Sequence, residues 1–293
     1  MTIPRGTAQS PKYQRLAADL RRRIAEGEFT ADAALPVESE LERQYGVARN
    51  TVRLAVDVLV NEGRLVRLQG KGTYLREHPV LDHRAYGPTP PPAPRDHPAA
   101  PRDCLAVPSA VYLGEAAEAG RELTTDFEMM IVRARVDIAE RLGLRPGEAI
   151  VVRRQLRLLD REPYSIEESH YRAGLAAGTP LMEPDPVEGG DEVVLAALGR
   201  TEIGAVDHLV ARMPGPEEAQ WFQGGPGVPL MVQTRVTYDR RGPVRVIETR
   251  YSADRSRLVY GVGDLGARAT LPAPAGPVDP GSARTEPARA DAP

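Results

Sequence analysis

The chain has 293 residues, of which 41% are hydrophobic, and its formal net charge is −3. This length and apolar content favour a globular protein of two domains. The single cysteine, Cys104, excludes an internal disulfide, and no apolar run of about 18 residues is present to form a transmembrane helix. The N-terminal segment lacks the apolar stretch of a secretory signal, so a cytoplasmic protein without membrane association is expected.

Charge is distributed unevenly along the chain. Residues 1–76 have a net charge of +4, and the remaining residues carry −7. A basic N-terminal segment before an acidic one is typical of proteins with an N-terminal DNA-binding domain, because attraction to phosphates supplies most non-specific affinity for DNA.

Three helices are predicted in the first 61 residues. The first has apolar residues at helical spacing and ends at Gly27, and the second begins after Pro36 and ends at Gly46. The third spans Arg49–Asn61, with a polar face opposite an apolar one. Because the second and third helices are separated by only three residues, they predict a helix-turn-helix.

A short hairpin is predicted after the third helix. Two alternating segments, Leu65–Leu68 and Thr73–Arg76, read as strands. The glycines of Gly70–Lys71–Gly72 allow a tight turn that exposes one cation. This hairpin has the position and charge of the wing in a winged helix-turn-helix.

Composition divides the chain into four segments. The predicted boundaries are a head at 1–78, a Pro-rich linker at 79–108, a body at 109–263 and a disordered tail at 264–293. In the body, strands are predicted at Ile150–Leu159, Ser165–Tyr171, Ala205–Met213, Leu230–Tyr238 and Val244–Tyr251. Short helical patterns lie between them, so the fold class is α+β with an antiparallel sheet.

The head resembles the DNA-binding domain of GntR-type regulators. The motifs L-P-x-E-x-E-L, G-V-x-R-x-T-V-R, L-x-x-E-G and G-x-G-T occur in the order and spacing of that family. The resemblance implies a homodimer that reads a short palindromic DNA operator, with the third helix in the major groove and the wing in the minor groove. The implied DNA-binding residues are Glu38, Ser39, Arg49, Asn50, Thr51, Arg53, Gly70, Lys71 and Gly72.

Three positions of the head depart from the family pattern. Asp32 replaces a glycine, Ser39 replaces an arginine that contacts DNA in relatives, and Ala48 replaces the Ser or Thr that caps the third helix. Loss of the cap weakens the start of that helix by roughly 1 kcal/mol. An altered operator preference is therefore expected.

The body resembles the UTRA effector domain of the HutC-like subfamily of GntR regulators. Its matching segments include I-A-E-R-L-G-L-x-x-G-E, L-R-L-L-D-R-E-P, A-x-M-P-G-P-E-E-A and E-T-R-Y-S-A-D-R, in family order. The resemblance implies a chorismate-lyase-like fold that binds a small-molecule effector. The implied effector-binding residues are Gln155, Arg157, Glu167, Glu248 and Tyr251.

One of these residues argues against the family's sugar-phosphate ligands. Relatives that sense sugar phosphates hold the anion with two arginines in an R-x-R sequence, and Gln155–Leu156–Arg157 stands at the matching positions. A single arginine makes a weaker phosphate clamp than two. Arg154 cannot substitute, because adjacent residues of a strand point to opposite faces of the sheet.

Other chemistry has little support in the sequence. The G-x-G-x-x-G match at 261–266 has no helix after it to bind a dinucleotide, and the five histidines lack metal-ligand spacing. No catalytic residue, cofactor or metal site is therefore predicted. The predicted function is a transcriptional regulator, expected to be a repressor. Alternatives are an enzyme of chorismate-lyase-like fold with a targeting head, or a winged helix that binds proteins.

Overall fold

The computed structural model of the chain describes residues 10–30, 33–68, 70–76, 80–85, 109–223 and 227–260. These residues fall into two compact units, one within Met1–Pro79 and the other within Val80–Leu271. The first contains the head and the second contains the body. Asp32, Cys104, residues 261–266 and the C-terminal tail lie outside the described residues.

The head consists of three helices and a two-stranded hairpin. Its elements are α1 (Lys12–Ala25), α2 (Glu38–Tyr45), α3 (Arg49–Asn61), β1 (Leu65–Leu68) and β2 (Gly72–Leu75). Leu20, Leu41 and Leu59, one from each helix, are buried together in its core. The three predicted helices and the wing are confirmed, and the second strand begins one residue earlier than predicted.

Local geometry accounts for the turn between α2 and α3. Glu40 accepts a hydrogen bond from the backbone N–H of Val37 at 3.1 Å, which satisfies an amide just before α2. Gly46 has a φ of 61°, a left-handed conformation that ends α2 and lets the chain turn sharply. Ala48 precedes α3 and makes no side-chain hydrogen bond to it, so α3 begins without a cap, as predicted.

The described part of the body contains the five predicted strands, the helices between them, and further elements that the sequence did not predict. In chain order they are β3 (Leu81–Ala85), α4 (Ser109–Glu118), β4 (Leu123–Arg133), α5 (Val136–Leu142), β5 (Ala149–Leu159), β6 (Glu162–Arg172), α6 (Ala173–Ala176), a 3-10 turn (Pro180–Met182), α7 (Asp191–Ala197), β7 (Gly204–Arg212), α8 (Pro216–Phe222), β8 (Leu230–Asp239), β9 (Gly242–Ser252) and β10 (Ser256–Tyr260). Six strands form one antiparallel sheet in the order β4-β5-β6-β9-β8-β7. This confirms the antiparallel fold class.

The predicted linker is corrected by a second sheet. β3 lies inside the segment 79–108 and pairs in parallel with β10, with Leu81 opposite Ser256. Leu81 is buried together with Tyr112 of α4 and Leu159 of β5. Residues 81–85 are therefore part of the body, because their backbone pairs with β10 and the side chain of Leu81 packs there. The rest of the linker, residues 86–108, lies outside the described residues.

Helices cover both faces of the six-stranded sheet. On one face, which we call the α5 face, Leu142 of α5 and Phe222 of α8 are buried against strand residues. On the opposite face, the α7 face, Leu195 of α7 and Tyr112 of α4 are buried. Over the described part of the chain, no helix has the length and apolar character needed to cross a membrane.

Candidate functional site

The exposed side of α3 carries the predicted DNA-binding cations. Val52, in the core, is fully buried, whereas the side chains of Arg49 and Arg53 are 64% and 53% exposed. Asn50 is also exposed, and Thr51 is half-buried. The predicted polar face is thus on the surface at the amino end of the helix, where such helices meet base edges and phosphates.

Glu38 organises the two arginines. Nε of Arg49 donates a hydrogen bond to Glu38 at 2.8 Å, and Nε of Arg53 donates to the same carboxylate at 3.0 Å. The hydrogen bond from Arg49, aided by that from Arg53, lowers the pKa of Glu38 overall, although partial burial acts to raise it. Glu38 therefore stays ionised and links α2 to both cations, and Ser39 beside it is exposed.

The wing presents Lys71 at its tip. Gly70 and Gly72 have φ angles of 73° and 119°, which side chains other than glycine rarely adopt. The backbone N–H of Lys71 donates to the carbonyl of Leu68 at 3.0 Å, and the carbonyl of Lys71 accepts from the hydroxyl of Tyr74 at 3.3 Å. These bonds close the turn and leave the Lys71 side chain exposed.

In the body, the structure brings four of the five predicted effector residues onto the α7 face. Gln155 of β5 lies opposite Glu167 of β6, and Arg157 and Tyr251 both lie opposite Ser165. Nη2 of Arg157 donates to the Gln155 amide oxygen at 2.7 Å and to Glu167 at 3.1 Å. Gln155 therefore supports the arginine that follows it by two residues.

Arg157 is held in an aromatic enclosure. Its guanidinium carbon lies 4.0 Å from the ring centre of Tyr112, and the hydroxyls of Tyr112 and Tyr251 are hydrogen-bonded at 2.7 Å. Burial acts to lower the pKa of Arg157, but Glu167 and the tyrosines raise it overall. Nε and Nη1 of this buried arginine have no hydrogen-bond partner within the described part of the chain. Two strong donors are thus available to an acceptor that the described residues do not provide.

Sequence reasoning missed two residues of this enclosure. His83 of β3 stacks on Tyr112, with ring centres 4.3 Å apart and planes 5° apart, and its Nδ1 lies 2.8 Å from Glu115 of α4. Both His83 and Glu115 are buried. The sequence offered no signal for His83, because it lies in a segment whose composition predicts a linker.

Polar residues continue along the α7 face on the neighbouring strands. Arg235 of β8 forms hydrogen bonds to both carboxylate oxygens of Asp207, each at 2.7 Å. The Gln233 amide also donates to Asp207, at 3.1 Å, and to the hydroxyl of Tyr260 at 3.2 Å. On this face Arg157 and Arg235 each have a carboxylate partner, so the two cations are electrostatically balanced.

Glu248 is the predicted effector residue that the structure places elsewhere. It lies on the α5 face, opposite Glu168 of β6, and accepts a hydrogen bond from Arg250 at 2.6 Å. Tyr251 follows it by three positions, and an odd offset along a strand places two side chains on opposite faces. Its prediction as a partner of Arg157 and Tyr251 is therefore corrected.

The α5 face has its own ionic cluster around Glu168. Arg154 of β5 donates to Glu168 at 2.8 Å, which confirms that this arginine points away from Gln155 and Arg157. Burial acts to raise the pKa of Glu168, but the nearby Arg250 and Arg154 lower it to about 2. Burial lowers the pKa of His170, the next residue on this face of β6.

Two families match the two units of the chain. Residues 12–75 match the bacterial regulatory proteins of the gntR family, and residues 118–257 match the UTRA domain. The chain is a GntR-family regulator. With a UTRA domain behind its GntR domain, it is a transcriptional regulator with an effector-binding body, as the sequence predicted. Solved GntR-family structures are consistent with the HutC-like subfamily.

Some relatives of this GntR-family regulator match most of the chain, and others match only the head. An HTH-type transcriptional regulator of Rhizobium meliloti (strain 1021) is 28% identical over 252 residues, which cover 84% of this chain and 93% of the relative. The Escherichia coli (strain K12) mannosyl-D-glycerate transport/metabolism system repressor MngR is 44% identical over 70 residues, 24% of this chain and 29% of MngR. A crystal structure of a GntR-family transcriptional regulator has a TM-score of 0.58 and 28% identity, covering 87% of this chain and 98% of that one.

Proposed function

We propose that this regulator is a homodimeric repressor that binds a palindromic operator and releases it when a polar small molecule occupies the body. The observation that carries the DNA-binding part is the anchoring of Arg49 and Arg53 by Glu38 on the exposed side of α3. The fixed arginines suit contacts to guanine edges and phosphates in the major groove. Lys71 at the wing tip suits a phosphate or minor-groove contact.

The proposed effector site is centred on Arg157, Gln155, Glu167 and Tyr251. Its strongest support is the pair of buried donors on Nε and Nη1 of Arg157, because a ligand oxygen would satisfy both. Glu167 already balances the charge of Arg157, and Asp207 balances that of Arg235. A doubly charged phosphate would meet no net positive charge there, so the proposed effector is uncharged or zwitterionic and rich in acceptor oxygens.

β3 is proposed to carry the signal from the effector site towards the head. Only four residues lie between Arg76, the last described residue of the head, and Leu81, the first residue of β3. His83 of that strand stacks on Tyr112, which in turn covers Arg157. A ligand that displaces Tyr112 would therefore shift β3, and a shift of that strand would favour one arrangement of the two heads over another.

The DNA-binding proposal is tested by fluorescence anisotropy with the protein's own upstream DNA and a shuffled duplex of the same length. The expected result is a salt-dependent preference for the upstream duplex, which Arg53→Glu abolishes. Arg22→Glu is the matched control, because Arg22 is a similarly exposed arginine on α1. Equal binding to both duplexes, or equal loss in both variants, would contradict the proposal.

The effector and dimer proposals need separate measurements. Size-exclusion chromatography with light scattering should give twice the chain mass of 31.9 kDa. A thermal-shift screen of polyols, sugars and amino acids, with sugar phosphates as the comparison set, should raise the melting temperature for an uncharged or zwitterionic compound. That rise should be lost in Arg157→Gln, provided that the variant is folded by circular dichroism.

A further inference from the structure

The α5 face holds a cluster of three metal-ligating side chains that the DNA-binding and effector sites do not use. Glu168 and His170 are two residues apart on β6, and Glu248 lies directly opposite Glu168 on β9. One ligand atom from each of the three residues lies within 4.8 Å of the others. We call these three residues the α5-face cluster.

His170 is the member whose surroundings point to a missing partner. Its side chain is buried, with only 4% exposure, and neither ring nitrogen has a hydrogen-bond partner among the residues described by the structure. A buried imidazole without a partner loses the hydrogen bonds that water would supply, which is costly. Because its nitrogen lies beside two carboxylates, a bound cation would satisfy all three groups together.

The two glutamates are at present bridged by an arginine. Carboxylates directly opposite each other on neighbouring strands repel, and Arg250 offsets this by donating to Glu168 at 2.7 Å and to Glu248 at 2.6 Å. With this bridge in place, neither the donor nor the acceptor nitrogen of the His170 imidazole has a partner among the described residues.

A bound metal ion would compete with three arginines for the glutamates, and each of these arginines has another partner. Each of the three arginines that contact the glutamates also pairs with a carboxylate outside the cluster: Arg154 with Glu128 at 3.2 Å, Arg135 with Asp137 at 3.0 Å, and Arg250 with Glu218 at 3.3 Å. A cation can therefore replace the arginines at the glutamates without leaving any of them unpaired. These outer carboxylates lower the electrostatic cost of placing a divalent ion there.

We propose that Glu168, His170 and Glu248 bind one divalent transition-metal ion that joins β6 to β9 on the α5 face. One imidazole nitrogen and two carboxylate oxygens suit Zn²⁺ or Co²⁺ better than Mg²⁺, which prefers oxygen ligands and retains its water. Bonds to zinc are about 2.0–2.2 Å long, so the ligand atoms must approach one another by roughly 1 Å from their present spacing. The three residues do not form a recognisable sequence motif, because Glu248 is far from the other two along the chain.

The test is metal binding by the full-length protein without an affinity tag, after treatment with EDTA and dialysis. Calorimetric titration with ZnCl₂ should show one ion per chain at this site, and CoCl₂ should produce a visible d–d absorption band. His170→Gln and Glu248→Gln should each lower the affinity at least tenfold. The matched control is His208→Gln, because His208 is an exposed histidine on β7 of the same sheet and lies outside the cluster.

Three outcomes decide the proposal. Loss of binding in His170→Gln and Glu248→Gln, but not in His208→Gln, supports it, provided that circular dichroism shows folded variants. Wild-type protein that binds neither Zn²⁺ nor Co²⁺ at 100 µM metal, about a hundred times a micromolar Kd, overturns it. Equal affinity in the wild type and in a folded Glu248→Gln variant also overturns it.

Discussion

Glu38 of α2 accepts a hydrogen bond from Nε of Arg49 of α3, with the two atoms 2.8 Å apart. The same carboxylate accepts from Arg53, so one acidic residue sets the spacing of two cations on the exposed side of α3. Fixing long side chains before binding reduces the entropy lost on contact with DNA. The carboxylate also repels phosphates, so it weakens non-specific attraction while it orients the arginines.

Replacing Glu38 by Gln should therefore change specificity in a particular direction. Binding to a shuffled duplex should strengthen about two- to tenfold with a steeper salt dependence, because two arginines become free to pair with phosphates. The preference for the operator over that duplex should fall, because the arginines lose their common anchor. Fluorescence anisotropy across a range of salt concentrations measures both effects. Glu26→Gln is the control, since Glu26 is an exposed glutamate paired with an arginine on α1, and equal effects of both variants would contradict the prediction.

Lys71→Ala should act differently from changes on α3. The exposed Lys71 at the wing tip is expected to contact phosphate, so its loss should weaken binding to operator and shuffled duplex by similar factors. The slope of log affinity against log salt should decrease in magnitude by about 1. A selective loss of operator binding would instead indicate that Lys71 reads bases.

The hydroxyls of Tyr112 and Tyr251 form a buried hydrogen bond that a double-mutant cycle can measure. Tyr112→Phe and Tyr251→Phe should each lower the free energy of unfolding by about 1 kcal/mol, because each leaves the other hydroxyl without this partner. The double variant should lose less than the sum, by about 1 kcal/mol. Urea denaturation followed by the fluorescence of Trp221, the single tryptophan, reports on the body. Strict additivity would show that the two hydroxyls are not energetically coupled.

Acid should weaken the body through Asp239 at the turn between β8 and β9. Asp239 accepts hydrogen bonds from Arg200 and from the backbone N–H of Arg241, and these lower its pKa below the ordinary value of 3.8. Because this pKa is lower in the folded state than in the unfolded state, the ionised carboxylate stabilises the fold at pH values above the unfolded-state pKa. That stability is lost as the pH falls through the folded-state pKa. Asp239→Asn should thus cost about 1–3 kcal/mol at pH 7.

The acid limb of the stability curve checks this assignment. The difference in urea stability between wild type and Asp239→Asn should shrink as the pH falls below 3.8, the ordinary value for this carboxyl. The exposed Asp126→Asn on the edge strand β4 is the control and should show no such trend. If the difference stayed constant from pH 7 to pH 3, the destabilisation in Asp239→Asn would come from packing alone and not from the ionisation of Asp239.

Local pattern was sufficient for the head. The bounds of α3, Arg49–Asn61, agree with the prediction because apolar periodicity and the turn at Gly46 are both local signals. In the body, the same reasoning placed Arg154 on the opposite face from Arg157, since strand alternation is also local. Strand alternation also places Glu248 and Tyr251 on opposite faces of the sheet. The family resemblance instead led to their prediction in one site.

Non-local pairing accounts for what the sequence did not predict. β3 and β10 are far apart along the chain, and their pairing in parallel leaves no hairpin signal between them. His83 depends on that pairing for its position against Tyr112, so it could not be identified before the fold was known. The α5-face cluster likewise depends on the register that sets Glu168 opposite Glu248.

The parallel pairing of β3 with β10 also bears on how such proteins diversify. These strands are the first and last described elements of the body, so the chain enters and leaves it within roughly one strand length. A domain whose two ends lie close together can be moved intact into another protein, since one short junction is enough to connect it. Grafting residues 80–260 behind an unrelated DNA-binding module should therefore transfer ligand control to a new promoter.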